Sequence, residues 1–122
     1  MAGTNTITYS ETRTVKKITM DWLSDASGDV SGTDTKVLSG QILRVVFIPD
    51  TGGTKPSAAY DVTCLDSDGL DVFAGDGANL ANDASSQFIP VFTNGIAFDG
   101  KLSLVVANAG NAKGGKVIIY FR

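Results

Sequence analysis

The run from Gln41 to Pro49 constrains the fold of this chain more than any other segment. Val, Ile and Phe dominate it, and β-branched and aromatic side chains fit a pleated surface. Asp50-Thr51-Gly52-Gly53-Thr54-Lys55-Pro56 then breaks it. Tyr60 to Leu65 resumes in alternation, and Asp66-Ser67-Asp68-Gly69 turns again into Leu70 to Phe73. Gly, Pro and Asp supply the backbone angles that turns require, so Gly40 to Val72 reads as strand, turn, strand, turn, strand. The Gln41–Pro49 run is apolar at both parities, Leu43, Val45 and Phe47 against Ile42, Val46 and Ile48. It is therefore expected to be central and covered on both faces, with Arg44 near an edge of the packing.

The rest of the chain repeats the period of two. In Val15 to Leu23, Ile18, Met20 and Trp22 point one way and Lys17, Thr19 and Asp21 the other, as in a half-buried strand. Residues 1–14 are polar and Thr-rich, with Ile7 and Tyr9 two apart, and read as a peripheral strand or an arm that pairs elsewhere. Residues 15–122 form the domain. Ser24 to Thr35 is a loop, and Thr35 to Ser39 a short strand. A long irregular loop from Gly75 includes one helical turn over Asn79–Ala84. Gln87 to Thr93 is extended but broken by Pro90, which cannot donate to a ladder. Asn94-Gly95 and Asp99-Gly100 are turn pairs. Leu102, Leu104 and Val106 alternate with polar or smaller residues, and 108–115 reads as a hairpin loop into the strand Lys116–Arg122. In that strand Val117, Ile119 and Phe121 share a face, which ties the C-terminus into a sheet. No useful helical period and no internal repeat appears. Eight or so strands with Gly-rich turns, 14 glycines in 122 residues, indicate an all-β fold, an antiparallel β-sandwich or jelly-roll-like barrel.

Composition excludes several kinds of chemistry. The chain has no histidine and a single cysteine, Cys64, so no internal disulfide forms and no imidazole can hold a thiolate. Cys64 shares parity with Tyr60 and Val62 and reads as a small buried apolar residue. The net charge is −3 and the cations are scattered, which argues against nucleic-acid binding. No stretch approaches the ~20 apolar residues of a membrane span. The first residues show no cationic segment followed by an apolar one, so the chain is expected to be made in a cytoplasm and to stay there or in a particle assembled there.

The acids Asp61, Asp66, Asp68, Asp71 and Asp76 are the one dense polar cluster. Gly69 follows Asp66 too closely for an EF-hand loop, so Asp66 and Asp68 read as turn formers bonded to local amides rather than as a cation site. Gly52-Gly53-Thr54-Lys55 lacks the spacing and the following helix of a phosphate loop. Neither a metal, a cofactor nor an enzymatic activity is expected. Two apolar features read as contact surfaces. Phe88-Ile89-Pro90-Val91-Phe92 forms a sticky rim if it is a sheet edge and ordinary core if it is not, with Phe88, Ile89, Pro90 and Phe92 as its candidate residues. The N-terminal segment, through Ile7 and Tyr9, could add a strand to a neighbour.

Trp22-Leu23-Ser24-Asp25-Ala26-Ser27-Gly28, Ile42 through Thr54, Tyr60-Asp61-Val62-Thr63, Asp68-Gly69-Leu70-Asp71-Val72, Gly75-Asp76-Gly77-Ala78-Asn79 and Ala107-Asn108-Ala109-Gly110 together resemble a family of small structural proteins of tailed bacteriophages. The resemblance runs from about Val15 to Arg122. It implies a virion component, and in particular a capsid decoration, or cement, protein. Such a protein binds the outside of a shell of major capsid protein, often as a dimer or trimer, after assembly in the host cytoplasm. A tail or neck component is the alternative, and a carbohydrate-binding β-sandwich module a third reading. That module would need solvent-exposed aromatics, whereas Trp22 is expected in the core.

Overall fold

A computed structural model describes residues 3–91 and 95–122. The chain is all-β and antiparallel: β1 (Thr4–Ser10), β2 (Lys16–Leu23), β3 (Leu38–Pro49), β4 (Asp61–Leu65), β5 (Ser86–Phe88), β6 (Ile96–Gly100), β7 (Ser103–Ala107) and β8 (Gly114–Phe121). One short 3-10 turn, Gly52–Thr54, is the only helical element among the described residues. The larger sheet has the order β1-β2-β8-β3-β5, with β6 also on β3, and the smaller is β4-β7. The two sheets do not close on each other. Their buried faces share one core: Ile18, Met20 and Trp22 of β2, Val117, Ile119 and Phe121 of β8, Ile42, Val45 and Phe47 of β3, then Val62, Cys64, Leu104 and Val106 of β4 and β7. Aromatic rings tie the layers, Trp22 to Tyr60 at 5.7 Å between centroids and Phe47 edge-on to Phe73 at 5.4 Å.

The alternations in β2, β4, β7 and β8 bury the side chains expected of them. The C-terminus is fastened as expected, by paired backbone bonds between Gln41 and Arg122. β3 is central in the sheet, but its second face is open: Leu43, Val46 and Ile48 are half-buried and Arg44 is exposed. A bulge between Ile42 and Arg44 shifts its register on β8. One extra residue reverses parity, so Ile42 joins Val45 and Phe47 on the core side. Arg44 lies on the outer face, where its Nε donates to Gln87 at 2.9 Å and its guanidinium stacks over Tyr120. β3 also starts at Leu38, absorbing part of the short strand expected at 35–39.

Four further expectations fail for identifiable reasons. Leu70–Phe73 is not a strand but a single bridge, Asp71 to Leu65, followed by turns. The Asp71 carboxylate takes the Cys64, Phe73 and Gly75 amides and so curls the chain around itself. Asn79–Ala84 holds no helical turn; Leu80 bridges Tyr60 instead. Asp99-Gly100 does not make a hairpin, because β6 lies in the large sheet and β7 in the small one. Residues 108–113 likewise carry the chain from β7 in the small sheet to β8 in the large one, with Ala109 fully buried, and Gly114 and Gly115 already belong to β8. The turn pair Asn94-Gly95 falls partly outside the described residues. Two polar groups are buried without a partner among the described residues, the Asn5 amide and the Ser86 hydroxyl.

Candidate functional site

The groups with most chemical potential are committed to the fold. Cys64 is fully buried. Burial first, then the Asp71 and Asp66 charges, push its thiol well above the ordinary 9.0, so it stays protonated and unreactive. Burial, then the Asp50 charge, push the Tyr60 phenol up to about 12 from 10.0. Both folded values are raised, so both groups favour folding while neutral. The Cys64 contribution is whole below pH 9.0 and the Tyr60 contribution below pH 10.0, and each is lost as pH rises toward the folded value. Unfolding free energy is therefore expected to fall on the alkaline side. Tyr60→Phe should flatten the part between pH 10.0 and about 12. Identical alkaline denaturant curves for the two proteins would contradict this assignment.

The acidic cluster is built from loop closures. Asp66 Oδ1 accepts from the Asp68 and Leu70 amides, and Gly69 takes a positive φ of 81°, as the turn reading requires. Asp61 accepts from the Asn79 amide and from Asn108 Nδ2, joining two loops. Asp25 accepts from the Ser27 and Asp29 amides in the same manner. Among the described residues, no three Asp, Glu, Cys or His side chains converge where they could hold a metal ion. No helix of the described residues is long and apolar enough to cross a membrane.

What remains is surface. β5 is three residues long and lies on β3 with Phe88 opposite Val45. β6 joins the same edge of β3 with Ile96 opposite Ile42. Only Leu43 and Arg44 separate those two positions on β3, and the chain continues past the end of β5 at Phe88. Its alternation splits the rim expected from the sequence. Phe88 and Pro90 turn inward, while Ile89 is 60% and Val91 91% exposed. Phe92 lies outside the described residues. A cleft of about 230 Å³ is lined by Ala74, Asp76, Phe88, Pro90, Val91 and Ile96. Phe88 is buried, so of the two aromatic candidates at 88 and 92 the described residues hold only an inward-facing one. Val91 shares parity with Ile89 and is the more exposed of that pair.

The N-terminal candidates are placed differently. β1 is no free arm in the described residues: it pairs with β2 from Thr4↔Leu23 to Ser10↔Lys17. Ile7 and Tyr9 are half-buried and pack against the core. The Tyr9 hydroxyl accepts from the Lys36 amide, and the Lys36 ammonium lies over its ring and pairs with Glu11 at 2.8 Å. These two side chains are thus already engaged, and only the outer edge of β1 faces outward. Comparisons of the chain with protein-family models, with curated proteins and with solved structures return no match.

Proposed function

We propose that this chain is a structural protein of a phage virion that binds the outside of a capsid lattice and stabilises it, as a decoration protein does. The resemblance of residues 15–122 to small phage structural proteins supports the virion reading. The observation that carries a binding role is the pair Ile89 and Val91, which stand in solvent just after β5. Exposed large apolar side chains at a sheet edge are costly to solubility and mark contact sites. A sandwich of the two sheets is the rigid platform in this reading, and the major capsid protein is the partner. Many copies, each making a modest contact across neighbouring capsid subunits, gain effective concentration and favour the assembled lattice over free subunits.

The test uses capsid shells that lack this protein. Co-sedimentation of the Ile89→Asp/Val91→Asp variant is expected to show an affinity about thirtyfold weaker, the scale of losing a contact hot spot. Its melting temperature should match that of the parent, because both side chains are exposed. Undiminished binding by this variant would sink the assignment of Ile89 and Val91. Removing residues 2–12 is a poorer experiment, since it strips β1 from β2 and tests folding as much as binding.

A further inference from the structure

The sheet edges are not treated alike. In the small sheet both edges are covered. Val30 and Asp34 bridge β7, while Asp71 and the Gly77 carbonyl engage β4, with Leu80 on Tyr60 just before it. On the large sheet, the β5/β6 edge is divided between strands of three and five residues, and Ser67 donates to the Asp99 carbonyl of β6. The outer edge of β1 is the longest strand edge left unpaired among the described residues. Thr4–Ser10 contains no charge, proline or glycine, and its register on β2 is unbroken over seven residues. Natural edges that must stay single carry such charges, prolines or bulges.

We infer that the outer edge of β1 pairs antiparallel with β1 of a second copy of this chain, about a two-fold axis through Ile7. That register sets Ile7 against Ile7, Thr6 against Thr8 and Thr4 against Ser10. It uses the whole strand, and it keeps Ile7 and Tyr9 on the core side and the threonines on the solvent side in both copies. Charge also favours the antiparallel sense. Arg13, Lys16 and Lys17 lie at the turn end of the β1–β2 hairpin. The Asp25–Asp29 loop lies at the other end, where the Asp29 carbonyl closes on Gly3. A two-fold axis brings the cationic end of each copy against the acidic end of the other. The large sheet becomes continuous through both copies, independently of any role in a virion.

Thr6 and Thr8 are exposed, so substitution there spares the core. Light scattering of the unmodified chain across a concentration series is expected to approach twice the 12.7 kDa monomer mass. Thr6→Lys/Thr8→Lys sets lysines opposite one another twice across the axis and should weaken the dimer about tenfold or more. Thr6→Glu/Thr8→Lys sets Glu against Lys at the same two places and should restore it. Circular dichroism of both variants should show an unchanged strand spectrum. A monomeric parent at every concentration reached would overturn the inference. So would a dimer indifferent to the double lysine, or one that the Glu/Lys variant fails to restore.

Discussion

Trp22→Ala is expected to remove about 4 kcal/mol of folding stability, a large part of what a domain of this size has. The indole is 2% exposed and lies opposite Gly115 on β8. A Cβ at Gly115 would sit 2.9 Å from the ring, so the glycine provides the slot that the indole fills. The ring also meets Tyr60, just ahead of β4, at 5.7 Å between centroids. Trp22 thus fills space on its own sheet and joins that sheet to the second layer. Alanine leaves a cavity that neither partner can fill, because Gly115 has no side chain and Tyr60 is held by its bridge to Leu80. Urea unfolding measures the loss. A change below about 1.5 kcal/mol would mean that the layers collapse onto the gap, and would remove Trp22 as their principal junction.

Asp71→Ala is expected to cost about 3 kcal/mol, although residue 71 belongs to no strand and is only half-buried. One carboxylate oxygen accepts from the Cys64 and Phe73 amides and the other from the Gly75 amide, all at 3.0 Å. Alanine leaves those amides without an acceptor, and it frees the loop that presses Phe73 against Phe47. Asp71→Asn retains one oxygen and should keep the Cys64 and Phe73 bonds while losing the third, costing about 1 kcal/mol. The ordering of the two variants is the decisive observable. If Asn proved as damaging as Ala, the charge rather than the bond pattern would be what holds the loop.

The residues most legible from sequence are those whose surroundings are dictated by alternation. Ile18, Met20, Trp22, Val62, Cys64, Leu104, Val106, Val117 and Ile119 all lie buried where a period of two put them. The Asp66–Gly69 turn was legible for a similar reason, because an Asx side chain and a glycine act within a few residues of themselves. Ile42 was not: the bulge beside it depends on how β3 meets β8, and no local pattern announces that extra residue. The candidate surface was half legible. Its segment was identified, but which of its side chains stand in solvent depends on how β5 docks on β3, and the exposed pair is Ile89 and Val91.

By itself the amino-acid sequence determined an antiparallel β chain with an apolar interior, no histidine, and carboxylates suited to turns. These follow from side-chain chemistry and from spacing within one strand. Tertiary structure alone decided that β6 and β7 lie in different sheets, that residues 4–10 form an edge strand on β2, and which apolar side chains stay in solvent. Each of those outcomes depends on which strands hydrogen-bond to one another. Pairing between distant segments is settled by packing the whole core at once, so no short window of sequence contains it.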